Sequence, residues 1–360
     1  MRILFLTSST NASGGGRQAL YLASGLRERG HEVIFFALPA SDLRSLAPDL
    51  DWRDLPQKRG VWRKTLENAM GGDTPTIVHA FHNKAVKTLA WCGTLWRILR
   101  RPVACVAHRG VIYPPNNILP YIAPGIQLFA VNSQACLKTL PLLWRKGAGK
   151  VVYNCVPDSK ITPLRSSETV RAELGITAQT TVIGGVSNNA PVKGIEYLLR
   201  AFALLRQWNG REDQVLCLVG GDREKWGPLC AELGILERVR LIPRTEAVAD
   251  YLQLFTLFVL PSLSESSPNT LLEAMRMGLP AVCSNVGGVP ECISDEAFLV
   301  PPKDEEALAK ALESALADRE ALGEAGRRNL AFSEQFKVEK KLDIMEGLYG
   351  NLLRPHGKNV

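Results

Sequence analysis

Two glutamates, Glu265 and Glu273, stand eight positions apart in the stretch SESSPNTLLEAM. Pro268, which has no backbone N–H to give, fits only the first turn of a helix, so a helix is predicted to begin near Ser267 or Pro268, capped by Ser266 or Ser267. Glu265 then precedes the helix and Glu273 lies on its second turn. Because the first-turn N–H groups favour an anion, a phosphate carrying sugars on both sides, as in a nucleotide-sugar, fits between the two carboxylates.

The residues that follow extend this pattern in a specific way. The motif consists of Glu265, Glu273-Ala274-Met275, Gly278-x-Pro280 and Gly287-Gly288-x-x-Glu291. This string of spacings resembles the retaining glycosyltransferases of family 4, or glycosyltransferase group 1, which have the GT-B fold. The resemblance extends over nearly the whole chain, through the glycines at 14–16, NCVPD at 154–158 and Lys-Gly at 193–194.

The resemblance implies roles for individual residues. Glu273 matches a glutamate that binds the nucleotide ribose, Glu265 one that contacts the donor-sugar hydroxyls, and Lys193 a lysine that binds the pyrophosphate. His108 matches a histidine of the first domain near the reacting sugar carbon, so the predicted catalytic residues are His108, Glu265 and Lys193. The predicted donor or nucleotide contacts are Gly14, Gly15, Gly16, Asn188, Lys193, Arg244, Ser267, Asn269, Thr270, Leu271 and Glu273.

The sequence departs from the family pattern at Asn188. The family usually has an arginine there that helps to hold the pyrophosphate, and a neutral amide makes weaker bonds to an anion than a charged group does. Arg244 or Arg17 is a candidate to compensate. The Gly-Phe-Gly that usually follows the first glutamate is replaced here by Ser266-Ser267-Pro268.

The implied reaction is transfer of a hexose or N-acetylhexosamine from a nucleotide-diphosphate sugar to a hydroxyl, with retention. A UDP-sugar is favoured as donor, a GDP-sugar is the alternative, and no metal or cofactor is expected. The resemblance implies that the acceptor hydroxyl attacks the donor sugar from the same face as the departing diphosphate, which takes the acceptor proton. The protein then acts mainly by positioning the reactants and by stabilising charge on the leaving diphosphate. The expected acceptor is a glycan or a lipid-linked or lipopolysaccharide-type molecule.

Three other readings remain open. A non-catalytic nucleotide- or glycan-binding GT-B protein is suggested by Asn188, and a GT-B sugar-nucleotide epimerase or phosphorylase differs only in its product. An NAD-dependent dehydrogenase is disfavoured because GGGRQAL is not Gly-x-Gly-x-x-Gly and the second strand ends in FFALPAS, with no acidic residue for a ribose. His79 and His82 compete with His108 for a role on the acceptor side.

Charge is unevenly distributed along the 360 residues. Residues 1–165 hold 22 lysines and arginines against 9 acidic residues, a net of +13, and residues 166–360 hold 21 against 27, a net of −6. The basic half also contains five of the seven tryptophans, Trp52, Trp62, Trp91, Trp96 and Trp144. Basic and aromatic residues together favour contact with an anionic membrane, and no nucleic-acid-binding motif is present.

The chain is predicted to lie in the cytoplasm at the inner face of the membrane. No run of about 18 apolar residues predicts a membrane span, and the N-terminal apolar run is too short for a signal peptide. Eight cysteines without a Cys-x-x-Cys pair predict buried free thiols.

Alternating strand and helix patterns predict the elements that position these residues. The first forty residues predict a βαβ unit. It consists of the strand RILFLT, the flexible loop NASGGG, the helix RQALYLASGLRERG and the strand HEVIFFAL. Further strands are predicted at TIVHAF and PVACVAH, and a helix is predicted at 133–145. Residues 161–176, ITPLRSSETVRAELGI, have the pattern of a connection. A second series begins at TTVIGGVS, so the fold class is α/β, with two Rossmann-like domains whose parallel sheets face a central cleft. The predicted domains are 1–160 for the acceptor and 161–335 for the nucleotide-sugar, with a C-terminal helix in 336–360 that packs back toward the first domain.

Overall fold

The computed structural model describes residues 1–72, 74–294 and 298–354. The chain divides into two compact domains: the first comprises Met1–Cys155 and the residues from Lys337 onward, and the second Val156–Phe336. The predicted boundaries lay at 160/161 and 335/336, within five residues of this division. Among the helices of the described residues, none has the length and apolar character needed to cross a bilayer.

The first domain has a seven-stranded parallel sheet with the order β3-β2-β1-β4-β5-β6-β7. Its strands are β1 Arg2–Thr7, β2 Glu32–Ala37, β3 Asp51–Asp54, β4 Thr76–Phe81, β5 Val103–Arg109, β6 Leu128–Val131 and β7 Gly149–Val151. Its helices are α1 Gly14–Glu28, α2 Leu43–Leu46, α3 Trp62–Met70, α4 Asn83–Ile98, α5 Leu119–Ile122, α6 Gln134–Lys138 and, from the end of the chain, α14 Val338–Leu353. Strand residues such as Ile3, Leu4 and Phe5 are fully buried, as a sheet covered on both faces requires.

The second domain has a six-stranded parallel sheet with the order β10-β9-β8-β11-β12-β13. Its strands are β8 Thr181–Val186, β9 Gln214–Val219, β10 Val239–Ile242, β11 Leu257–Leu260, β12 Ala281–Ser284 and β13 Leu299–Val300. Its helices are α7 Ser167–Leu174, α8 Ile195–Asn209, α9 Arg223–Glu232, α10 Val248–Leu252, α11 Asn269–Arg276, α12 Glu305–Ala317 and α13 Arg319–Ser333. The prediction of two Rossmann-like domains with parallel sheets is confirmed.

Strand order reverses once in each sheet. In the first domain the chain runs outward from β1 to β3 and then returns to begin β4 beside β1; in the second it runs from β8 to β10 and returns to β11 beside β8. Connections leave such a pair in opposite directions, which opens a crevice at the carboxyl ends of the two strands. The β1/β4 and β8/β11 pairs therefore mark where ligands are expected.

The C-terminal helix α14 is part of the first domain. Leu342, Met345 and Tyr349 are buried, and the Tyr349 hydroxyl lies 2.6 Å from Nδ1 of His79 in β4. A Cβ at Gly25 of α1 would lie 2.6 Å from a methyl carbon of Leu342, so glycine permits the close packing of the two helices.

Several local predictions are wrong in detail. The glycines Gly14, Gly15 and Gly16 form the first turn of α1 rather than a flexible loop, because the Ser13 hydroxyl accepts from the Gly16 N–H and caps the helix. The segment predicted as a plain connection at 161–176 contains α7, which the Ser166 side chain caps. The helix predicted at 133–145 ends at Lys138, where α6 ends.

The connection into the second domain is fixed by a buried carboxylate. Asp250 of α10 accepts from the backbone N–H groups of Leu164 and Arg165 at 2.5 and 3.2 Å and from Arg165 Nε at 2.7 Å. The Asp250 side chain is only 1% exposed. Burial alone would raise its pKa, but the bonds from Arg165 and Leu164 outweigh burial and lower the pKa of Asp250 below its ordinary value.

We predict that Asp250→Asn lowers the free energy of unfolding by about 2–4 kcal/mol at pH 7, because one amide cannot replace three accepted bonds without leaving buried donors unpaired. Because folding lowers the pKa of Asp250, its stabilising contribution is fully present above the pKa of an unfolded aspartate, about 4. This contribution is lost as the pH falls through the pKa of Asp250 in the folded protein. Urea unfolding followed by circular dichroism measures both effects. Glu324→Gln, which removes an exposed i,i+3 pair with Arg327, is the control and should change stability by less than about 0.5 kcal/mol; equal effects from both variants would contradict the prediction.

Candidate functional site

An ion pair joins the two connections that leave the β8/β11 pair. Lys193 lies after β8 and Glu265 after β11, and Lys193 Nζ is 2.6 Å from Glu265 Oε1. The Ser262 hydroxyl donates to the same carboxylate oxygen at 2.8 Å. The Glu265 side chain is 10% exposed and that of Lys193 27%, so the pair is mostly shielded from solvent but can be reached by a ligand.

Backbone contacts hold these connections in register. The Leu263 N–H donates to the Val192 carbonyl at 2.7 Å, and the Gly288 N–H donates to the Glu265 carbonyl at 3.0 Å. The Gly-Gly motif after β12 thereby supports Glu265 from the other side. Three segments that the sequence motif names separately therefore meet around one carboxylate.

Gly194 shows how closely the two connections approach each other. Its φ is +64°, and a Cβ at this position would lie 2.0 Å from the Pro261 carbonyl oxygen. Glycine is needed here both for the left-handed backbone and for the approach of the Pro261 carbonyl. The Lys-Gly dipeptide thus combines a cation with the one residue type that allows it to reach the neighbouring connection.

Helix α11 presents an uncapped N-terminus beside Glu265. The predicted serine cap is wrong: Pro268 occupies the N-cap position, no side chain caps the helix, and its first turn has no acidic residue. The helix dipole at this end is therefore not offset by a protein carboxylate in that turn. Of the predicted contacts, Ser267 and Leu271 are buried, whereas Asn269, Thr270 and Glu273 are half-buried, Glu273 on the second turn as predicted.

Asn188 lies in the exposed loop that follows β8. Its side-chain oxygen accepts from the Ala190 N–H at 3.3 Å, so the amide shapes its own turn. The next residue, Asn189, is left-handed at φ 60°, and its side-chain oxygen accepts from Trp226 Nε1 at 2.8 Å. Lys225 Nζ donates to the Asn189 carbonyl at 2.7 Å, which brings a cation to the loop where the usual arginine is missing.

Arg244, one of the two residues considered as compensation, is exposed in the loop after β10. Strand β9 separates β10 from β8 in the sheet. Lys225, which the sequence reasoning did not single out, is tied to the loop of Asn188, and no such contact is seen for Arg244 among the described residues. The sequence signal that could have drawn attention to this loop is a second asparagine, Asn189, next to the missing arginine. Asparagine is one of the residue types that adopt the left-handed conformation most readily.

The β1/β4 pair of the first domain carries a second cluster. His82 follows β4; its Nδ1 is 2.8 Å from Thr7 Oγ1 at the end of β1, and its Nε2 is 3.5 Å from Ser13 Oγ. A Cβ on Gly15 would lie 3.6 Å from the same Nε2. The structure thus brings the first turn of α1 together with His82, which was considered only as a competitor of His108.

His82 is held in an uncommon conformation. Its φ is 69°, in the left-handed region that non-glycine residues seldom occupy. Burial lowers the pKa of His82 below its ordinary value, so the imidazole is neutral at pH 7. A neutral imidazole has one donor and one acceptor nitrogen, which suits it to orient a hydroxyl.

His108 and His79 are packed within the first domain. The His108 ring, near the end of β5, stacks on Phe81 at 4.8 Å, and His79 stacks on the same ring at 4.4 Å. Burial, together with the charge of Lys341, holds the pKa of both histidines well below the ordinary value, so both are neutral. His79 is fully buried and bonded to Tyr349, which marks it as a packing residue, while His108 is 8% exposed.

The described residues contain no group of three or more histidine, cysteine or acidic side chains arranged to hold a metal ion. An Asp-x-Asp spacing occurs at Asp49 and Asp51, where Asp51 begins the edge strand β3 and pairs with Arg53 at 2.9 Å. All eight cysteines are free and buried, which confirms that prediction.

The architecture matches solved structures over almost its entire length. It is similar to Anabaena Alr3699/HepE in complex with UDP, with a TM-score of 0.83, 20% sequence identity and coverage of 98% of this chain and 100% of that one. This likeness, together with the two parallel sheets, defines a GT-B fold.

Residues 166–329 match the family described as glycosyl transferases group 1. It is 31% identical over 247 residues to the N-acetyl-alpha-D-glucosaminyl L-malate synthase of Bacillus anthracis, covering 66% of this chain and 63% of that protein. It is 33% identical over 216 residues to the D-inositol 3-phosphate glycosyltransferase of Nocardia farcinica, covering 56% of this chain and 48% of that protein. The matched regions thus span about half to two thirds of these relatives.

We predict that Gly194→Ala weakens nucleotide binding at least tenfold, because the added Cβ must push the Pro261 carbonyl away and separate Lys193 from Glu265. Gly210→Ala is the matched control: its φ is +60°, and a Cβ there meets nothing within 4 Å. Both variants have the backbone cost of about 1 kcal/mol, but only Gly194→Ala disturbs the site. Calorimetric titration with UDP measures the difference; equal affinity in the two variants would show that the approach of the two connections does not matter for binding.

Proposed function

We propose that the protein is a retaining glycosyltransferase that moves a hexose or N-acetylhexosamine from a nucleoside-diphosphate sugar to a hydroxyl group. The observation that carries this proposal is the Lys193–Glu265 pair at the β8/β11 strand reversal, beside the uncapped end of α11. A cation and the positive end of a helix dipole bind a diphosphate, and a carboxylate binds hydroxyls. The match of residues 166–329 to glycosyl transferases group 1 supports the same reaction class.

The ion pair gives this donor site a defined way to respond to a ligand. A diphosphate carries more negative charge than one carboxylate and competes with Glu265 for Lys193. Glu265, released from the ammonium group, is then able to accept hydrogen bonds from the donor sugar while it keeps its bond from Ser262. Glu273, one turn into α11, is placed to accept from the ribose hydroxyls.

The transfer breaks the bond between the anomeric carbon and the diphosphate oxygen and forms a bond from the acceptor oxygen to that carbon. The acceptor proton passes to an oxygen of the departing diphosphate. The leaving group gains charge during this step, so Lys193 and the α11 N-terminus stabilise the transition state more than the ground state. Neutral His82 and His108 of the first domain are candidates to orient the acceptor hydroxyl or the sugar.

The donor nucleotide is proposed to be UDP, with GDP as the alternative. This proposal is supported by the likeness to a structure solved with UDP. At 20% identity, that likeness is one of fold. No resident metal or cofactor is proposed, in keeping with the residues of the donor site, where a lysine and helix N–H groups supply the positive potential.

Two classes of acceptor are in keeping with the basic first domain. A lipid-linked or lipopolysaccharide-type glycan fits peripheral contact with an anionic membrane. A small anionic alcohol is the second candidate, because the relatives from Bacillus anthracis and Nocardia farcinica are named for malate and inositol 3-phosphate. Both classes carry negative charge, which the net +13 of residues 1–165 favours.

The surface proposed to contact the membrane is smaller than the tryptophan count suggested. Trp62 and Trp96 are buried in the core, whereas Trp91 on α4 is 66% exposed. Ile98 and Leu99 at the end of the same helix are 71% and 53% exposed and are followed by Arg100 and Arg101. Apolar side chains next to arginines suit the interface of an anionic bilayer, here the inner face of the cytoplasmic membrane. The side chain of Trp144 is not among those that the structure describes.

We expect Lys193→Gln and Glu273→Gln each to weaken UDP binding by about tenfold to 100-fold, since each loses a charge-assisted contact to the nucleotide. Calorimetry on the full chain measures affinity, and product analysis with UDP-sugars measures transfer. Lys310→Gln and Glu306→Gln, at exposed positions on α12, are the matched controls and should bind like the unmodified chain. The proposal fails if UDP binds to neither the unmodified chain nor the controls, or if it binds equally well to the site variants; binding without any transfer or hydrolysis would favour the non-catalytic alternative.

For the membrane surface, we expect Trp91→Ser with Ile98→Ser to reduce cosedimentation with phosphatidylglycerol vesicles at least fivefold. Binding of the unmodified chain should fall with added salt and be weak on phosphatidylcholine, because arginines supply part of the attraction. Trp208→Ser is the control, since Trp208 is a 41% exposed tryptophan of the second domain. Unchanged sedimentation of the double variant would rule out this surface.

A further inference from the structure

Arg109, the last residue of β5, has a buried side chain with unused hydrogen-bonding capacity. The residue is 5% exposed, and its Nε has no hydrogen-bond partner among the described residues. Nη1 donates to the Tyr121 hydroxyl at 2.9 Å, and Nη2 donates to the Tyr113 carbonyl. A guanidinium has five N–H donors, so these contacts leave most of its donors available.

The charge of Arg109 also has no counter-ion within the described part of the chain. Its guanidinium carbon lies 5.6 Å from the Tyr113 ring centroid and 5.5 Å from that of Tyr121, and ring faces compensate only part of a buried charge. Arginine does not lose its proton to escape this cost. Burying an unpaired cation is unfavourable, so such a site gains stability from an anionic ligand.

Other arginines of the protein show what a satisfied guanidinium looks like here. Arg276 is 7% exposed and pairs with Asp158 at 2.8 Å while also donating to the Val156 carbonyl. Arg145 lacks a carboxylate but donates to three backbone carbonyls, those of residues 121, 123 and 126. Among the described residues, Arg109 has neither a carboxylate partner nor a set of three carbonyl acceptors.

The cover over Arg109 is a segment that has no regular secondary structure. Residues 110–118 connect β5 to α5, and Tyr113 is 58% exposed. This segment contacts the Arg109 guanidinium through the Tyr113 carbonyl and the Tyr113 ring. An incoming oxyanion can replace the carbonyl with a stronger, bidentate bond. Arg109 follows His108 in the chain, at the carboxyl end of the sheet where parallel sheets bind ligands.

We propose that Arg109 binds the carboxylate or phosphate of the acceptor and so makes an anionic acceptor the preferred substrate. This inference rests on the proposed function, because it assigns a partner to the acceptor domain of that reaction. Tyr113 moves with its segment when the anion replaces its carbonyl, and its ring remains available to cover the bound group. The shared chemistry is an oxyanion that carries a nearby hydroxyl, either in a soluble metabolite or in a phospholipid headgroup.

Titration of the full chain tests this inference. The probes are L-malate, inositol phosphate, neutral inositol and phosphatidylglycerol vesicles, each with and without saturating UDP. We expect at least one anionic probe to bind and neutral inositol to bind at least tenfold more weakly. Binding of the soluble anions identifies a metabolite as the source of the oxyanion, and binding of vesicles alone identifies a headgroup.

Variants then locate the anion. Arg109→Gln should weaken binding of the anionic probe at least tenfold, and Arg109→Lys, which keeps the charge without the fork, should weaken it less. Arg59→Gln is the matched control: Arg59 is an exposed arginine of the same domain, lies outside the surface proposed to contact the membrane, and should leave anion binding unchanged. UDP affinity measured in the same samples should be unaffected by all three changes, because the residues that would hold UDP belong to the second domain.

The outcomes separate this inference from the proposed function. If UDP binds but no anionic probe does, or if both Arg109 variants bind the anion as the unmodified chain does, the inference is wrong and the proposed function stands. If an anion binds through Arg109 but UDP does not bind, the proposed function fails and the anion site stands. Should Arg109→Gln not fold, Arg109→Lys alone decides, through its loss of affinity relative to Arg59→Gln.

Discussion

The ion pair between Lys193 and Glu265 is the contact on which the arrangement of the second domain's site depends. It joins the connection after β8 to the connection after β11, and through the Glu265 carbonyl it also holds the Gly-Gly turn after β12. In a poorly solvated position, two opposite charges 2.6 Å apart attract each other strongly, but each has also lost its hydration. The pair is therefore stable and still replaceable by a ligand that brings its own negative charge.

The same topological feature organises both domains. A parallel sheet whose strand order reverses leaves two neighbouring strands with diverging connections, and the side chains at their carboxyl ends have no helix directly above them. In the first domain this position brings His82 to the first turn of α1, and in the second it brings Lys193 to Glu265. Residues far apart in sequence meet at these positions because the strand order leaves them adjacent.

The sequence predicted most elements of this fold, and the reasons for the failures are physical. Short apolar runs identify strands such as β4 and β5 to within one or two residues. Helix α7 was missed although Ser166 and the left-handed Gly175 mark its two ends, because the helix buries little apolar surface. The pairing of Lys193 with Glu265, and the position of His82 beside Gly15, are tertiary contacts that no local pattern contains. The burial of Trp62 and Trp96 likewise depends on which face of a helix meets the sheet, which composition cannot show.

Electrostatics differ between the two domains in a way that bears on how ligands reach them. In the second domain, with its net negative sequence, the central lysine is already neutralised by Glu265, so its attraction for anions is small until one arrives within contact distance. In the first domain, with its net positive sequence, Arg109 has no counter-ion among the described residues, and its guanidinium contacts only neutral groups of Tyr113 and Tyr121. Under the proposed function, the long-range field of the first domain attracts anions, whereas the second domain selects them by exchange at short range. A diphosphate offers more charge and more acceptor oxygens than Glu265 and can complete that exchange, and a monoanion such as a carboxylate only matches the partner that Lys193 already has.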